Sequence, residues 1–327
     1  MSAITRPIVS SPNQLRPFDV GRDLSAVADL VEACFAETLD TDGRRYVQQM
    51  HAAARNPRYL RWAATMADHV SMPLTGFVWE EHGQLVGNLS LIPFTYLGRR
   101  CYLIANVAVD PVYRRRGIAR ALTAASLEQA RGRGMAEVWL HVREENAAAR
   151  KLYHSLDFKE RARRTTWESA GGLPSMQAAE PAQEVKITPR YAHYWPQQHA
   201  WLSRMYPPEL TWHLPFSLHA LRPGFVGGLY RLLTGFLVQQ WAAVRQGELL
   251  GVLSWQPQTG HADHLWLAAV PENEVSALGA LLPHARRRLA RRARLVMDYP
   301  AGRAVESFQE AGFHVQQTLV WMSVALA

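Results

Sequence analysis

A short arginine-rich turn is the part of the sequence best suited to bind a ligand. It follows the apolar run Leu103 to Val109 and consists of Arg114, Arg115, Arg116, Gly117, Ile118 and Ala119. A helix that starts at a tight turn presents unpaired backbone N–H groups and the positive end of its dipole. Guanidinium groups add fixed charge and paired donors. The pattern predicts a pyrophosphate site; the alternative is a solvated loop before an ordinary helix.

The surrounding pattern predicts an α/β unit that places this turn at the end of a strand. Apolar periodicity and turn residues give the following expected order. A strand and helix lie within 15–35, with Asp23 as helix cap, then a helix at 40–54, strands at 76–80, 85–92 and 103–109, a helix at 117–131, a strand at 137–143, a helix at 147–155 and a strand at 158–167. The three middle strands would form an antiparallel meander.

Composition predicts two domains. Ser169 to Glu184 is rich in Ala, Gly, Pro, Gln and Glu, as expected of a linker. We therefore expect a flexible leader at 1–14 without signal-peptide features, a first domain at 15–168, a linker at 169–184 and a second domain at 185–327.

An internal repeat links the two predicted domains. Three segments recur in the same order: Gly83–Ser90 as Gly247–Ser254, Val107–Pro111 as Leu267–Pro271, and Ala149–Phe158 as Ala304–Phe313. Ordered echoes of this kind indicate a fold duplicated in tandem. The apolar stretch Phe225 to Trp241 is interrupted by Arg231 and is too short to span a bilayer, so we expect it in a core.

Two motifs together resemble the GNAT N-acetyltransferase family. The first is Arg114, Gly117 and Ala119; the second is Asn146, Ala149, Leu152, Tyr153 and Phe158 after a strand ending at Arg143. The segments Asn106–Pro111 and Trp139–Val142 are most similar to alanine N-acetyltransferases that modify protein amino termini. The resemblance implies a mixed, mostly antiparallel sheet flanked by helices, with acetyl-CoA as co-substrate and a primary amine as acceptor.

The resemblance also implies roles for particular residues. Backbone groups of Val107, Ala108 and Val109 would contact the thioester, the turn from Arg114 to Ala119 would hold the pyrophosphate, and Asn146 and Ala149 would contact the coenzyme. Tyr153 is the candidate general acid, with a packed aromatic ring as the alternative. Asn146 could also cap the following helix.

The general base is less defined by the sequence. His141 is the candidate because an imidazole titrates near neutral pH, although Glu80, Glu81 or Glu144 could act through water. Two positions depart from the family pattern. His141 stands where the alanine N-acetyltransferases commonly have glutamate, and Asp157 stands where a glycine usually precedes Phe158. The acceptor is therefore open among small amines, polyamines and peptide amino termini.

The second domain is expected to resemble a GNAT domain that has lost its cofactor site. After Pro271 the chain has Glu272, Asn273 and Glu274 in place of arginines and glycine, and acids there would repel a pyrophosphate. No histidine cluster has a ligand pattern for metal, so none is expected.

Charge leaves a second function open. The net charge of +8 favours anionic partners. A basic run at 286–294 contains Arg286, Arg287, Arg288, Arg291, Arg292 and Arg294, with Leu282, Ala285, Leu289 and Ala293 as its apolar stripe. One alternative function is a non-catalytic module that contacts nucleic acid or the ribosome through this helix. Another is a domain that binds acyl-CoA without transferring the acyl group. We expect the acetyltransferase instead, without a nucleic-acid or membrane partner. Only Cys34 and Cys101 are present, so no disulfide framework is expected and a cytoplasmic location fits.

Overall fold

The computed structural model describes residues 14–37, 41–67, 70–169, 185–258, 262–290 and 294–326. The predicted leader and linker lie outside these residues, except for Gln14 and Ser169. By its contacts the chain divides into two compact units. Unit 1 contains residues up to Arg161 together with Trp321–Ala327, and unit 2 contains Ala162–Val320.

Unit 1 is a mixed sheet with helices between its strands. Its elements are β1 (Leu15–Pro17), α1 (Val20–Phe35), α2 (Thr41–Ala54), α3 (Pro57–Met66), β2 (Thr75–Glu81), β3 (Gln84–Tyr96), β4 (Arg99–Val109), α4 (Ile118–Gly132), β5 (Glu137–Arg143), α5 (Ala147–His154) and the first residues of β6 (Lys159–Ser169). The strands β1 to β4 pair antiparallel in sequence order. β5 then pairs parallel to β4, because the connection through α4 returns the chain in the same direction.

Unit 2 repeats this order. Its elements are β7 (Lys186–Pro189), α6 (Trp195–Met205), α7 (Pro208–Thr211), α8 (Leu218–Leu221), α9 (Gly224–Thr234), β8 (Gln239–Arg245), β9 (Glu248–Gln256), β10 (Asp263–Ala269), α10 (Glu274–Arg288), β11 (Leu295–Pro300), α11 (Val305–Glu310) and most of β12 (Phe313–Ala325). β7 to β10 are antiparallel and β11 is parallel to β10. The predicted fold class, a mostly antiparallel mixed sheet flanked by helices and duplicated in tandem, is confirmed.

The last strand of each repeat is divided between the units. Residues 162–169 of β6 lie in unit 2, where they pair antiparallel with β11. Residues from Trp321 onward lie in unit 1, where Leu326 N donates to Ala136 O (3.0 Å) and Arg161 Nε to Ser323 Oγ (2.9 Å). The contact-based division thus falls at Arg161, upstream of the proposed linker, and the domain limits at 168 and 185 stay predictions.

Close packing against one helix explains a repeated glycine. A Cβ added at Gly87 in β3 would lie 2.8 Å from Ile118 Cγ2 and 3.0 Å from Trp79 Cβ. At the equivalent Gly251 in β9, a Cβ would lie 2.8 Å from Ala277 Cβ of α10. Glycine therefore lets the helix after the meander pack directly on the sheet in both units.

Two local expectations are wrong. The cap of α1 is Asp19, whose carboxylate accepts from Gly21 N and Arg22 N, whereas Asp23 is buried and accepts from Arg16 Nη1 (2.6 Å). Most of the segment expected in a core forms α9, with Phe225, Leu232 and Leu233 exposed, whereas Trp241 at its end lies in β8 and is buried. In α9, Gly227 is buried and Arg231 donates to Ala220 O (2.8 Å). Within the described residues, no helix has the length and apolar character needed to cross a membrane.

Candidate functional site

The arginine-rich turn lies where the sequence predicts, between β4 and α4. Asp110 caps a single 3-10 turn at Pro111–Tyr113, accepting from Val112 N at 2.9 Å. Arg115 (φ 65°) and Gly117 (φ 81°) then take left-handed conformations that turn the chain into α4. Gly117 is the N-cap residue and provides no side-chain cap. The first N–H groups of α4 are therefore available to an anion.

The three arginines at this turn are exposed and make few competing contacts. Arg114 Nε donates to Val109 O (3.1 Å), and Arg116 Nη2 donates to Val112 O (3.3 Å). Arg116 also lies over the Tyr113 ring and has Nη1 3.7 Å from Glu81 Oε2, beyond hydrogen-bond distance. Their charge is thus only weakly compensated by neighbouring acids. A phosphate group would find both main-chain and guanidinium donors here.

The end of β4 is open on the side of β5. The parallel pairing of these strands runs from Cys101↔Glu137 to Ile104↔Leu140 and includes no later residue. Ala108 and Val109 pair with β3, opposite Asn88 and Gly87. Main-chain groups of Val107 to Val109 that point away from β3 therefore have no strand partner in the part of the chain that the structure describes. A ligand entering between the strands could hydrogen-bond to them.

Tyr153 lies on α5 and is buried. Its ring packs edge-on against Phe158, with ring centroids 5.8 Å apart. Burial raises the pKa of its phenol to about 12. Within the described part of the chain, its hydroxyl has no hydrogen-bond partner. The side chain thus packs as an aromatic residue and also keeps a protonated hydroxyl free for a ligand.

His141 lies on β5 with its ring exposed to solvent. Its ring contacts Trp321, with centroids 5.0 Å apart. Although water reaches the imidazole, the surrounding protein desolvates it and lowers its pKa to about 4. The imidazole is therefore neutral at pH 7. It can accept a proton, but as a much weaker base than an unperturbed histidine.

Asn146 caps α5. Its Oδ1 accepts from Ala149 N at 3.0 Å, which satisfies one free donor of the first helical turn. The capping alternative is therefore observed for this residue. Both residues are at least partly exposed, so a coenzyme contact through the Asn146 side-chain amide stays a prediction.

A family profile matches part of the chain that contains the arginine-rich turn. Residues 29–158 match the profile of the Acetyltransferase (GNAT) family. Residues 29–158 form a GNAT domain.

Two curated relatives match parts of the chain. The [Ribosomal protein bS18]-alanine N-acetyltransferase of Escherichia coli K12 is 51% identical over 55 residues, which is 17% of this chain and 37% of that protein. The Mycothiol acetyltransferase of Thermobispora bispora is 34% identical over 146 residues, 44% of this chain and 46% of that protein. The chain thus matches less than half the length of each relative.

A solved structure shares the fold along the whole chain. The crystal structure of a GCN5-related N-acetyltransferase from Sphaerobacter thermophilus covers 97% of both chains, with a TM-score of 0.56 and 13% identity. At this identity the likeness concerns the fold alone.

Several residues near the GNAT site were not singled out from the sequence. Arg120 Nη1 donates to Ser155 Oγ (2.6 Å), joining the start of α4 to the end of α5. Cys34 Sγ lies 3.4 Å from Val109 O. Tyr46 of α2 accepts from Asn106 Nδ2 at 2.8 Å. Of these, Arg120 could have been found, since it lies one turn after Arg116 on the predicted helix.

In its described residues, unit 2 has other side chains at the positions of the GNAT site. In the repeat, Phe308 stands in place of Tyr153 and Ala301 in place of Asn146. By strand register Val296 corresponds to Trp139, so Asp298 stands in place of His141. At the start of α10 the buried Glu274 accepts from Tyr299 OH (2.7 Å) and pairs with Arg303. The first residue of α10 is thus an acid engaged by side chains of unit 2, whereas α4 begins after three exposed arginines and Gly117.

The basic run at 286–294 is not a continuous helical face. The helix α10 ends at Arg288 because Leu289 is its C-cap, and Arg291, Arg292 and Ala293 lie outside the described residues. Arg286 is buried and donates to Ala311 O (2.8 Å). Arg294 pairs with Glu168 at 2.7 Å. These contacts remove two arginines from the proposed nucleic-acid surface.

No metal site is present among the residues described. Within those ranges, no group of three His, Cys, Asp or Glu side chains could hold a metal ion. Cys34 and Cys101 are free thiols, and burial raises the pKa of both.

Proposed function

We propose that the chain is an N-acetyltransferase that moves the acetyl group of acetyl-CoA to a primary amine. The observation that carries this proposal is the uncapped start of α4, with exposed arginines, directly beyond the open end of β4. A pyrophosphate at α4 would direct the thioester end of the coenzyme along β4. The match of residues 29–158 to the GNAT family supports the same reading.

Separate groups of unit 1 would bind the coenzyme and stabilise the charge that develops in the reaction. Arg114, Arg115 and Arg116 with the N–H groups from Gly117 to Ala119 would hold the pyrophosphate. Main-chain N–H groups within Val107 to Val109 that face away from β3 would stabilise negative charge that develops on the thioester oxygen. Both tasks use groups that unit 1 leaves without strong internal partners.

Tyr153 would donate to the departing sulfur. A phenol with a pKa of about 12 is fully protonated at pH 7. Since a thiol has an ordinary pKa near ~8.5, complete proton transfer from this phenol is uphill. Tyr153 therefore contributes mainly by donating a hydrogen bond to the sulfur while negative charge grows there. The same hydroxyl is the proton source for the departing thiolate.

His141 would accept a proton from the amine or orient a water that does so. Because its pKa is about 4, it cannot deprotonate most amines by itself. The acceptor must then enter largely as the neutral amine. An α-amino group, with an ordinary pKa of about 8, meets this condition more readily than a lysine side chain with one of about 10.

The acceptor class follows partly from the relatives. One relative is named for acetylating the alanine of a ribosomal protein and another for mycothiol. We propose an α-amino group of a peptide or small molecule as acceptor. Unit 2 would be a GNAT-like domain without a coenzyme site, because α10 begins with the buried acid Glu274 where unit 1 has exposed arginines and glycine.

The test is release of free CoA. Purified chain with acetyl-CoA would be offered a panel of peptide amino termini, small α-amines, polyamines and lysine analogues, with thiol release followed continuously. We expect amine-dependent release that favours α-amines. Saturable acetyl-CoA binding with no release for any amine would instead indicate a non-catalytic acyl-CoA module, and salt-sensitive retention of nucleic acid without acetyl-CoA binding would indicate a nucleic-acid module.

A further inference from the structure

The strand β4 contains a bulge that the corresponding strand of unit 2 lacks. In unit 1 the register of β3 against β4 changes between Asn88 and Ser90, opposite Asn106, which has φ 52°. In unit 2, β9 and β10 pair without a shift from Gly251 to Gln256. By the repeat, Val252 of β9 stands in place of Asn88. In the described strands the bulge and the asparagine thus occur together, in the unit that has the open helix start.

A fully buried amide holds this bulge from inside. Asn88 Nδ2 donates to the main-chain oxygen of Asn106 (2.9 Å) and lies 3.4 Å from Ser90 Oγ. The side chain of Asn106 in turn donates to Tyr46 OH. The orientation of Asn88 is determined chemically, because a carbonyl oxygen can only accept and so must face Nδ2.

The stability of the fold does not explain why Asn88 buries its side-chain oxygen, Oδ1. Its Oδ1 is buried and has no partner among the described residues, although the side chain is 0% exposed. An unpaired buried amide oxygen destabilises a fold. An apolar residue such as the valine of unit 2 would avoid that cost, so a role in the site accounts better for Asn88.

The geometry of the peptide bond connects Asn88 to the open end of β4. In a planar trans peptide, the oxygen of Asn106 and the N–H of Val107 point in opposite directions, and the chain has no cis peptide among its described residues. With the oxygen held towards Asn88 in β3, the Val107 N–H points away from β3. On that side β4 has no strand partner after Ile104.

We infer that Asn88 is a positioning residue that fixes the Asn106–Val107 peptide, so that the Val107 N–H donates to the thioester oxygen of acetyl-CoA. This inference rests on the proposed function. Asn88 touches neither coenzyme nor acceptor; it acts through one main-chain group. A donor that is held in advance needs no rearrangement when charge develops on the oxygen, which is why its alignment matters for rate.

The test is the carbonyl stretching frequency of bound acetyl-CoA. Acetyl-CoA labelled with ¹³C at the carbonyl would be bound to the full chain and measured by difference infrared spectroscopy. A hydrogen bond to the carbonyl oxygen lowers the frequency relative to free acetyl-CoA. We expect this lowering in the wild-type chain and its loss in Asn88→Ala. Once an acceptor amine has been identified by CoA release, the kcat of Asn88→Ala with that amine should be roughly 10- to 100-fold lower than that of the wild type. Its affinity for CoA, which has no thioester oxygen, should stay unchanged.

Two further variants keep the test decisive. Asn88→Leu is similar in size and has no donor in any protonation state, so it should reproduce the loss even if Asn88→Ala does not fold. Val252→Ala changes the equivalent position of unit 2 and should leave frequency and kcat as in the wild type. A wild-type frequency in either folded Asn88 variant would overturn the inference, as would equal losses of CoA and acetyl-CoA affinity. Absence of saturable acetyl-CoA binding by the wild-type chain would instead overturn the proposed function.

Discussion

Tyr153 combines two properties that a single substitution can separate. Its ring packs against Phe158, whereas its hydroxyl has no partner in the described chain. Tyr153→Phe keeps the packing and removes only the donor. We expect kcat to fall by about 100-fold, within the range of a positioned acid, with little change in acetyl-CoA affinity. Steady-state kinetics and calorimetry measure the two effects. Tyr102→Phe, at another buried tyrosine of unit 1, is the control, and equal activity of Tyr153→Phe would remove it as acid.

The lowered pKa of His141 predicts how kcat/KM depends on pH. Because the imidazole gains a proton only near pH 4, it stays neutral from pH 5 upward. Between pH 5 and 8, kcat/KM should therefore rise with the neutral fraction of the acceptor amine. We expect His141→Gln to lower kcat/KM by about tenfold, by the same factor at every pH in this range. A ratio of wild type to variant that changes with an apparent pKa near 6.5 would contradict this.

Asp157 has a backbone conformation that suits glycine. Its φ is 65°, and in the repeat its counterpart is Gly312, with φ 74°. A non-glycine residue in this region costs ~1–2 kcal/mol, and the extra chain entropy of glycine offsets part of the gain. Asp157→Gly should raise the free energy of unfolding by about 0.5 kcal/mol, measured by urea denaturation. Gly134→Ala, the reverse change at a left-handed glycine (φ 64°) with open space around it, should lower the free energy of unfolding. Lower stability of Asp157→Gly would be the opposite result.

At the scale of elements, the contact of α4 with β3 determines where the helix start lies. A Cβ at Gly87 would meet Ile118 Cγ2, in the first residue of α4, at 2.8 Å. Gly87→Ala should displace that end of α4 and lower acetyl-CoA affinity by roughly tenfold, about 1.4 kcal/mol. Gly251→Ala creates the same clash with α10 in unit 2 and should cost stability without changing affinity. Calorimetric titration of both variants tests this, and equal affinities would show that α4 does not hold the coenzyme.

The order of elements could be predicted because each has a local cause. Strand β5 was predicted at its observed limits, and α4 and α5 to within one residue, since glycines and caps mark their ends. The lengths of β3 and β4 could not be predicted, because a tight turn at Leu97 and Gly98 extends their pairing beyond the apolar core. The helix α3 was missed, and its N-cap Asn56 was the available signal.

The site was predictable to the extent that it uses local motifs. The turn from Arg114 to Ala119, Asn146 and Tyr153 belong to continuous segments, so their spacing indicates their position. The network of Asn88, Asn106 and Tyr46 joins three separate elements, and only tertiary structure brings it together. The same holds for Trp321 beside His141, since no local signal connects residues so distant in sequence.

For the whole molecule, duplication of the fold does not imply two coenzyme sites. In unit 2 Glu274 lies at the start of α10 and accepts from Tyr299, while the burial of that tyrosine and the adjacent carboxylate raise its pKa. A coenzyme phosphate there would face the Glu274 carboxylate, and Arg303 is already paired with that carboxylate. We therefore expect calorimetry to give one acetyl-CoA per chain.

A substitution in unit 1 tests more directly whether unit 2 binds acetyl-CoA. Gly117 has φ 81°, which a β-branched residue does not adopt without strain. Gly117→Val should distort the start of α4 and abolish saturable acetyl-CoA binding altogether, rather than reduce it by half. Gly235→Val, at another left-handed glycine that caps α9 in unit 2, should keep the single site. If the wild-type chain bound two equivalents and Gly117→Val still bound one, unit 2 would hold a coenzyme despite Glu274, and the loss of its site would have to be rejected.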